Sequence, residues 1–166
     1  MEWTKAYIGL GSNLGDRRGF LALAERRIGG LAGVEVEGVS SVHETVGVGM
    51  ARADAGTFLN SAMAVRTTLG PLELLRALRE IERDLGRVRS ETPAVGSQSR
   101  TIDLDLLMYG SVVMDTPELT LPHPRMHERA FVLKPLAEVG AEALHPVLGR
   151  TVGEIGRGEG PEAHRR

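Results

Sequence analysis

The sequence predicts one α+β domain, in which helices pack on a face of an antiparallel sheet. Two strand-like runs follow each other without an intervening helix, which argues against a parallel, doubly wound sheet. The 166 residues suit a single domain over the whole chain, 1–166, and no repeat or linker divides them. With 42% hydrophobic and 25% charged residues, the composition is typical of a folded globular protein.

The first half of the chain predicts a strand, a helix and then two strands. Residues 6–10 form a short apolar run next to glycine, which is typical of a buried strand. The following Gly-Ser-Asn offers N-cap chemistry for a helix over 14–31, where apolar residues recur at helical spacing. The alternating run 34–43 and the apolar run 58–68 predict two strands that pair antiparallel through a glycine-containing loop at 46–56.

The second half predicts a helix, a long loop and a further strand. Gly70-Pro71 begins a helix whose apolar stripe ends at Gly86. Residues 87–99 have no period and contain proline, glycine and serine, which indicates a loop. The remaining elements are a strand at 101–109, a small hairpin within 112–122, a helix at 129–139 that Pro135 kinks or borders, and a frayed tail over about 150–166. The order β-α-β-β-α-β with long loops is typical of a ferredoxin-like fold.

Charge and cysteine content narrow the function classes. The chain has 20 basic and 22 acidic residues, which does not favour sequence-independent binding of nucleic acid. It has no cysteine, which excludes disulfides and thiolate metal sites and fits a reducing cytoplasm. The first residues lack the layout of a signal peptide, and no apolar run is long enough to span a membrane. We expect a cytoplasmic monomer without nucleic-acid or membrane partners.

Two carboxylates carry the clearest chemical signal. On a strand, residues two apart share a face, so Asp103 and Asp105 point one way while Ile102, Leu104 and Leu106 face the core. Neighbouring carboxylates repel each other unless positive charge lies between them, and such oxygen ligands suit Mg²⁺ together with substrate phosphates. A solvated face of an edge strand would also explain this pair.

Cationic residues flank the two carboxylates in the sequence. Arg87, Arg89 and Arg100 precede them, and His123 and Arg129 follow. Arginines beside a carboxylate pair suit a site that holds a polyphosphate and neutralises its charge. Any one of them could be an ordinary surface arginine with a weak ion pair. Together they predict a metal-assisted phosphoryl-transfer site.

A third group suits a planar ligand. Glu44-Thr45 ends one predicted strand, and Phe58-Leu59-Asn60 opens the next. An asparagine amide can recognise the edge of a heterocycle, and phenylalanine offers a face for stacking. Phe131 is the other phenylalanine outside the first helix. Core packing is the ordinary alternative for either ring.

Glycines near the N-terminus add little on their own. The run Gly-Leu-Gly-Ser-Asn-Leu-Gly at 9–15 has the wrong glycine spacing for a dinucleotide fingerprint, and the sequence has no phosphate-binding Gly-Lys-Ser/Thr. Small residues there suit a turn between a strand and a helix.

Five segments in this order carry a family resemblance. They are 7–15, 58–60, 86–89, 100–105 and 121–126, of which Arg-Thr-Ile-Asp-Leu-Asp-Leu at 100–106 and Leu-Pro-His-Pro-Arg-Met at 121–126 are specific together. The chain closely resembles the 6-hydroxymethyl-7,8-dihydropterin pyrophosphokinases, a family of folate-biosynthesis enzymes, from about residue 7 to 139. The resemblance implies a ferredoxin-like fold and transfer of diphosphate from ATP to the hydroxymethyl group of the pterin, with release of AMP.

The resemblance also implies a role for individual residues. Asp103 and Asp105 would hold two Mg²⁺ ions and, with Arg89 and Arg100, form the catalytic set. The ATP contacts would be Glu82, Arg89, Arg100, Leu106, His123 and Arg129. The pterin contacts would be Thr45, Val48, Phe58, Asn60 and Phe131, with the two rings on either side of the bicycle.

The sequence departs from the family pattern in two places. The stretch 93–100 lacks the Arg-Trp-Gly-Pro-Arg run of many members, and Gly47 stands where proline is usual. The departures leave the aspartates intact, so we expect an active enzyme. The alternative is a ferredoxin-like nucleotide-binding regulatory module without catalysis, which would not need paired metal ligands.

Overall fold

Five antiparallel strands form the main sheet of the computed structural model, which describes residues 2–46, 57–86 and 101–158. The strands are β1 (Thr4–Ser12), β2 (Val34–Val39), β3 (His43–Val46), β4 (Thr57–Thr67) and β5 (Asp103–Tyr109). Their order is β2-β4-β1-β5, and β3 pairs with β4 beyond the end of β2. The predicted small hairpin is confirmed as a pair of short strands, β6 (Met114–Asp115) and β7 (Thr120–Leu121).

Helices cover both faces of the sheet. They are α1 (Arg17–Gly29), α2 (Pro71–Gly86), a 3-10 helix (Met126–Glu128), α3 (Ala130–Gly140) and α4 (Val152–Gly156). Helices α1 and α2 pack on one face, and α3 packs on the other. The prediction of an α+β fold built on an antiparallel sheet is therefore confirmed. Within the part of the chain that the structure describes, no helix has the length and apolarity needed to cross a membrane.

Strand alternation divides the core into two layers. Ile8, Leu59 and Leu104 are fully buried beneath α1 and α2. On the opposite face, the small residues Ala62 and Ala64 of β4 belong to a second cluster with α3. As predicted, the even-numbered residues at the start of β5 face the core, which leaves Asp103 and Asp105 on the side of α3.

The start of the first helix differs from the prediction. Gly9 and Gly11 lie inside β1 and not in a turn, because β1 is paired on both sides as far as Gly11, with β4 and with β5. Helix α1 begins after Asp16, whose Oδ1 accepts a hydrogen bond of 3.1 Å from the Gly19 amide. Gly11 and Ser12 therefore continue the strand, and the N-cap is Asp16, three residues after Asn13.

The prediction of one strand over 34–43 was also wrong. The ladder with β4 shifts register between Val36 and Gly38, and the chain then forms the separate strand β3. At the break, the Ser40 amide donates to the Ala62 carbonyl at 2.9 Å. A bulge of this kind re-aims an edge strand.

Residues 151–158 are more ordered than predicted. Thr151 and Glu154 form a capping box: Thr151 Oγ1 accepts from the Glu154 amide at 3.2 Å, and Glu154 Oε1 accepts from the Thr151 amide at 2.9 Å. This arrangement starts α4 despite the surrounding glycines.

Pro135 lies buried inside α3 and does not mark its edge. Residues 159–166 lie outside the described part of the chain.

Candidate active site

Paired residues on three adjacent strands form a row. This row connects the predicted carboxylate pair with the residues predicted to bind a planar ligand. Asp103 of β5 pairs with Gly11 of β1, and Gly11 pairs with Asn60 of β4. Directly paired residues in antiparallel strands project from the same face of the sheet. Asp105 stands one position further along that face, opposite Gly9. A carboxylate pair and a side-chain amide therefore lie on one face, with glycines between them.

The two glycines have no side chains and so leave space on this face of the sheet. A Cβ added at Gly11 would lie 3.2 Å from Asn60 Oδ1 and 3.9 Å from Phe58 Cδ1. A Cβ at Gly9 would lie 3.3 Å from Leu107 Cδ1. The glycines thus leave room between the carboxylates and the amide, a role that the predicted turn at 9–15 did not anticipate.

Burial and charge oppose ionisation of Asp105. Burial raises the pKa of its carboxyl to about 7, and the negative charges of Asp103 and Glu82 add to this effect. Arg79 and Arg129 lower that pKa in part. Added positive charge at this position would therefore favour the carboxylate form.

The donor set suits Mg²⁺ bound together with phosphates. Asp103 and Asp105 offer the hard carboxylate oxygens that this ion prefers, on one strand face. Among residues 2–46, 57–86 and 101–158, no group of three or more acidic, histidine or cysteine side chains could enclose a metal ion. Magnesium commonly keeps several waters and uses one or two carboxylates plus substrate phosphates, so a pair is sufficient.

Glu82 points from α2 towards the main chain between the aspartates. Its Oε2 accepts from the Leu104 amide at 2.7 Å, and its Oε1 accepts from Arg79 Nη1 at 3.0 Å. Arg79 Nη1 also donates to the Leu104 carbonyl at 2.8 Å. Leu106, the other predicted nucleotide contact on this side, has its side chain in the core and is 3% exposed. Only its main chain is placed to contact a ligand.

His123 and Arg129 approach the aspartates from the segment before α3. The His123 amide donates to the Leu107 carbonyl at 2.8 Å, and His123 Nδ1 accepts from the Arg125 amide at 3.2 Å. Burial lowers the pKa of the His123 ring, and the charge of Arg129 lowers it further. The lowered pKa favours the neutral imidazole, although Asp103 opposes this, and because Nδ1 accepts a hydrogen bond the proton of the neutral ring is on Nε2.

Two of the residues predicted to bind a planar ligand, Thr45 and Phe58, lie next to Asn60. Asn60 Nδ2 donates to Thr45 Oγ1 at 2.9 Å, and Phe58 pairs with Thr45 across the β3–β4 ladder. Asn60 is 6% exposed. Phe131 lies in the first turn of α3, with the Arg129 guanidinium 5.6 Å from its ring centroid.

A carboxylate of α3 holds the start of β3 against that helix. Glu138 accepts from the Ser41 amide at 2.8 Å, from Ser41 Oγ at 2.9 Å, and contacts His43 Nε2 at 2.6 Å. His43 pairs with Asn60 in the ladder. The sequence analysis missed this contact, because nothing local to His43 indicates a partner 95 residues away.

Some predicted site residues lie outside the described part of the chain. These are Val48, Arg87, Arg89 and Arg100, together with the predicted loop at 87–99 and all but the first residue of the predicted loop at 46–56. Most of the other predicted residues divide between the two ends of the row: Glu82, Asp103, Asp105, Leu106, His123 and Arg129 near β5, and Thr45, Phe58 and Asn60 on β3 and β4. Phe131 lies on α3, beside Arg129.

Comparisons with known proteins identify a family. Residues 7–141 match the family described as 7,8-dihydro-6-hydroxymethylpterin-pyrophosphokinase (HPPK). The 2-amino-4-hydroxy-6-hydroxymethyldihydropteridine pyrophosphokinase of Bacillus subtilis is 46% identical over 134 residues, which cover 81% of this chain and 77% of that protein. The enzyme of the same name from Synechocystis is 38% identical over 147 residues, covering 89% and 72%.

A solved structure supports the fold. The crystal structure of an HPPK-DHPS in complex with substrates superposes with a TM-score of 0.69 over 94% of this chain. The sequence identity is 12%, so this likeness concerns the fold alone. The chain spans 43% of the length of that longer protein.

Proposed function

The chain belongs to the 7,8-dihydro-6-hydroxymethylpterin-pyrophosphokinase family, and we propose that it transfers diphosphate from ATP to the hydroxymethyl group of 6-hydroxymethyl-7,8-dihydropterin. It is a pyrophosphokinase of folate biosynthesis and thus a diphosphotransferase. ATP is the co-substrate, and AMP is the second product of the proposed reaction. The row formed by Asp103, Gly11 and Asn60 carries the assignment of the site, because it offers a carboxylate end and an amide end on one face.

We assign the carboxylate end to two Mg²⁺ ions and the phosphates of ATP. Asp103 and Asp105 would hold the ions, which would neutralise phosphate charge when bound. The raised pKa of Asp105 supports this, because a buried carboxylate next to another one is stabilised by added cations. Arg129 adds a fixed positive charge, and His123 offers a neutral Nε2–H donor.

The remaining nucleotide contacts rest on the family resemblance. Arg89 and Arg100 are proposed as catalytic phosphate contacts. Glu82 is proposed to border the nucleotide from α2, and Leu106 to approach it only through its main chain, because its side chain is buried.

We assign the amide end to the pterin. Because one amide hydrogen of Asn60 goes to Thr45, Oδ1 and the other N–H remain to recognise the edge of the bicycle. Phe58 and Phe131 are proposed as its stacking rings, and Val48 as a further contact. The glycines of β1 leave room for the hydroxymethyl group to approach the phosphates.

The chemistry asks little of any single side chain. Holding the pterin hydroxyl in line with the β-phosphorus turns an encounter of two ligands into a reaction within one complex. Charge neutralisation around the phosphates supplies the rest, as is general for phosphoryl transfer. No side chain needs to act as a strong base in this scheme.

The proposal also includes the topology of the fold, the bounds of the domain, the oligomeric state and the cellular location. The strand order β2-β4-β1-β5, with a helix after β1 and after β4, supports a ferredoxin-like fold. We propose one pyrophosphokinase domain over 1–166, acting as a monomer in the cytoplasm, where ATP is available, without nucleic-acid or membrane partners. A regulatory module without catalysis is not favoured, because the relatives that cover most of this chain are named as enzymes.

A direct assay tests the proposal. The purified chain is mixed with ATP, Mg²⁺ and the reduced pterin, and AMP and pterin diphosphate are quantified by chromatography. We expect equal amounts of both products, and no AMP when the pterin is omitted. Binding of ATP without AMP formation, under conditions where the Bacillus subtilis enzyme turns over, would support the regulatory alternative.

A further inference from the structure

We propose that Arg79 and Glu82 are positioning residues, which fix the main chain of β5 between the two aspartates. Together with the peptide groups of Leu104 they form what we term the edge clamp. The inference rests on the proposed function, since it concerns the placement of Asp103 and Asp105. It gives Glu82 a role that does not require contact with the nucleotide.

The clamp lies on the side of β5 where no other strand of the described residues pairs with it. β5 is at the edge of the main sheet, with β1 as its neighbour on one side. At such an edge, alternate residues turn their N–H and C=O groups away from the sheet. Leu104 is such a residue: its amide meets Glu82 Oε2 at 2.7 Å and its carbonyl meets Arg79 Nη1 at 2.8 Å. Helix α2 thereby satisfies both groups.

The two side chains also bond to each other, which closes a ring of three hydrogen bonds. The ion pair between Arg79 Nη1 and Glu82 Oε1 measures 3.0 Å. The Glu82 side chain is 15% exposed and Leu104 is fully buried, whereas the Arg79 side chain is 42% exposed. The bond between Glu82 and the Leu104 amide is therefore the sheltered one, and an unpaired amide left in this position would be costly. The ring is therefore a rigid support for this part of β5.

The support acts on both carboxylates at once, because Leu104 is the residue between Asp103 and Asp105. If the peptide groups of Leu104 lose their partners, the strand can rotate about its axis and both carboxylates move together. Groups that orient metal ligands commonly change affinity or activity by about 10–100-fold when removed. The pterin end should be spared, because Asn60 lies two strands away on β4.

A conservative variant separates positioning from a direct charge contact. Glu82→Gln keeps one oxygen that can accept from the Leu104 amide but loses the acceptor for Arg79, because its NH2 group only donates, whereas Glu82→Ala removes both acceptors. If Glu82 acts through β5, the glutamine variant should keep turnover within about threefold, while the alanine variant should lose about 10–100-fold. If Glu82 instead acts by its charge on the ligand, both variants should fail alike.

The test combines a ligand-free readout with kinetics. Amide hydrogen exchange of Leu104, followed by NMR in the metal-free protein, should accelerate by at least about tenfold in Glu82→Ala and in Arg79→Met, since an opened edge amide exchanges faster. Glu35→Ala is the matched control, because it removes an exposed ion pair with Arg66 elsewhere in the sheet. In both clamp variants kcat should fall while the KM for the pterin stays unchanged.

Several outcomes would overturn the inference. Unchanged exchange of Leu104 in both variants would show that the clamp does not hold the strand. Faster exchange with normal kcat would show that its rigidity does not matter for the aspartates. Arg79→Met provides a second route should Glu82→Ala not fold. Absence of turnover in the wild-type chain would count against the proposed function, while the exchange data would still report on the clamp.

Discussion

Asn60 on β4 donates a hydrogen bond of 2.9 Å from Nδ2 to Thr45 Oγ1 on β3. The bond crosses the ladder diagonally, since Asn60 pairs with His43 and Thr45 pairs with Phe58. It fixes which end of the amide is presented to a ligand, because an amide whose nitrogen is engaged turns its oxygen the other way. Recognition of the pterin should therefore depend on both residues.

Replacing Asn60 by alanine should weaken pterin binding and leave ATP binding unchanged. Loss of a buried hydrogen-bonding partner should cost about 1–3 kcal/mol of pterin affinity, measured by calorimetry. Thr45→Val should cost less, since it frees the amide without removing it. An equal loss of ATP affinity in Asn60→Ala would instead indicate damage to the fold.

Gly11→Ala should reduce pterin affinity through crowding. The added methyl group would lie 3.2 Å from Asn60 Oδ1, and the bond to Thr45 limits how far Asn60 can move away. We expect a rise in the pterin KM of about tenfold, since loss of about 1.4 kcal/mol changes an equilibrium tenfold. Gly149→Ala is the control for a loss of stability alone. Its φ of +70° makes alanine strained there, but the added Cβ would meet no atom within 4 Å. A normal pterin KM in Gly11→Ala would contradict the proposal that Gly11 leaves space on the face that binds the pterin.

The sequence predicted the strands of the sheet better than the point where β1 ends and α1 begins. Period-two alternation and the apolar runs located the main strands, because these patterns follow directly from which side chains are buried. The start of α1 was misplaced, since Gly11 and Ser12 look like a cap locally but are held by pairing with β4. Only the tertiary pairing decides between the two conformations.

The same distinction applies to the site. Asp103 and Asp105 could be predicted as a pair, because spacing along a strand fixes their common face. Arg79 could not, because its contact with Leu104 depends on how α2 lies against a strand 25 residues later. A charged i, i+3 pair on the buried side of a helix is the signal that could have indicated it, as Arg79 and Glu82 show.

His123 should contribute as a neutral donor. Its pKa is lowered by burial and by Arg129, which favours the neutral ring at pH 7. His123→Gln, which keeps an N–H at a similar position, should retain most of the ATP affinity, and His123→Ala should lose about 1 kcal/mol. The ATP affinity that is lost in His123→Ala should depend only weakly on salt concentration. A strong salt dependence of that loss would indicate a charged imidazolium.

Removing one carboxylate should abolish turnover without loss of the fold. Asp103→Asn and Asp105→Asn keep the side-chain shape but remove a charged oxygen ligand, so we expect kcat to fall by roughly 10²-fold or more, given the charge that a bound metal ion neutralises. Circular dichroism should show an unchanged fold. Near-normal activity in both variants would exclude these residues as metal ligands.

The stability of the metal-free protein should fall with rising pH because of Asp105. Its pKa rises from 3.8 to about 7 on folding, so between these values the folded state binds more protons than the unfolded state. The stability that this group contributes is then full below about pH 4, is lost progressively between about pH 4 and pH 7 at up to about 1.4 kcal/mol per pH unit, and changes little above pH 7. Asp105→Asn removes this dependence. Thermal unfolding in EDTA should show variant and wild type nearly equal at pH 4, with the variant increasingly more stable towards pH 7. A constant difference over that range would mean that Asp105 ionises normally in the fold.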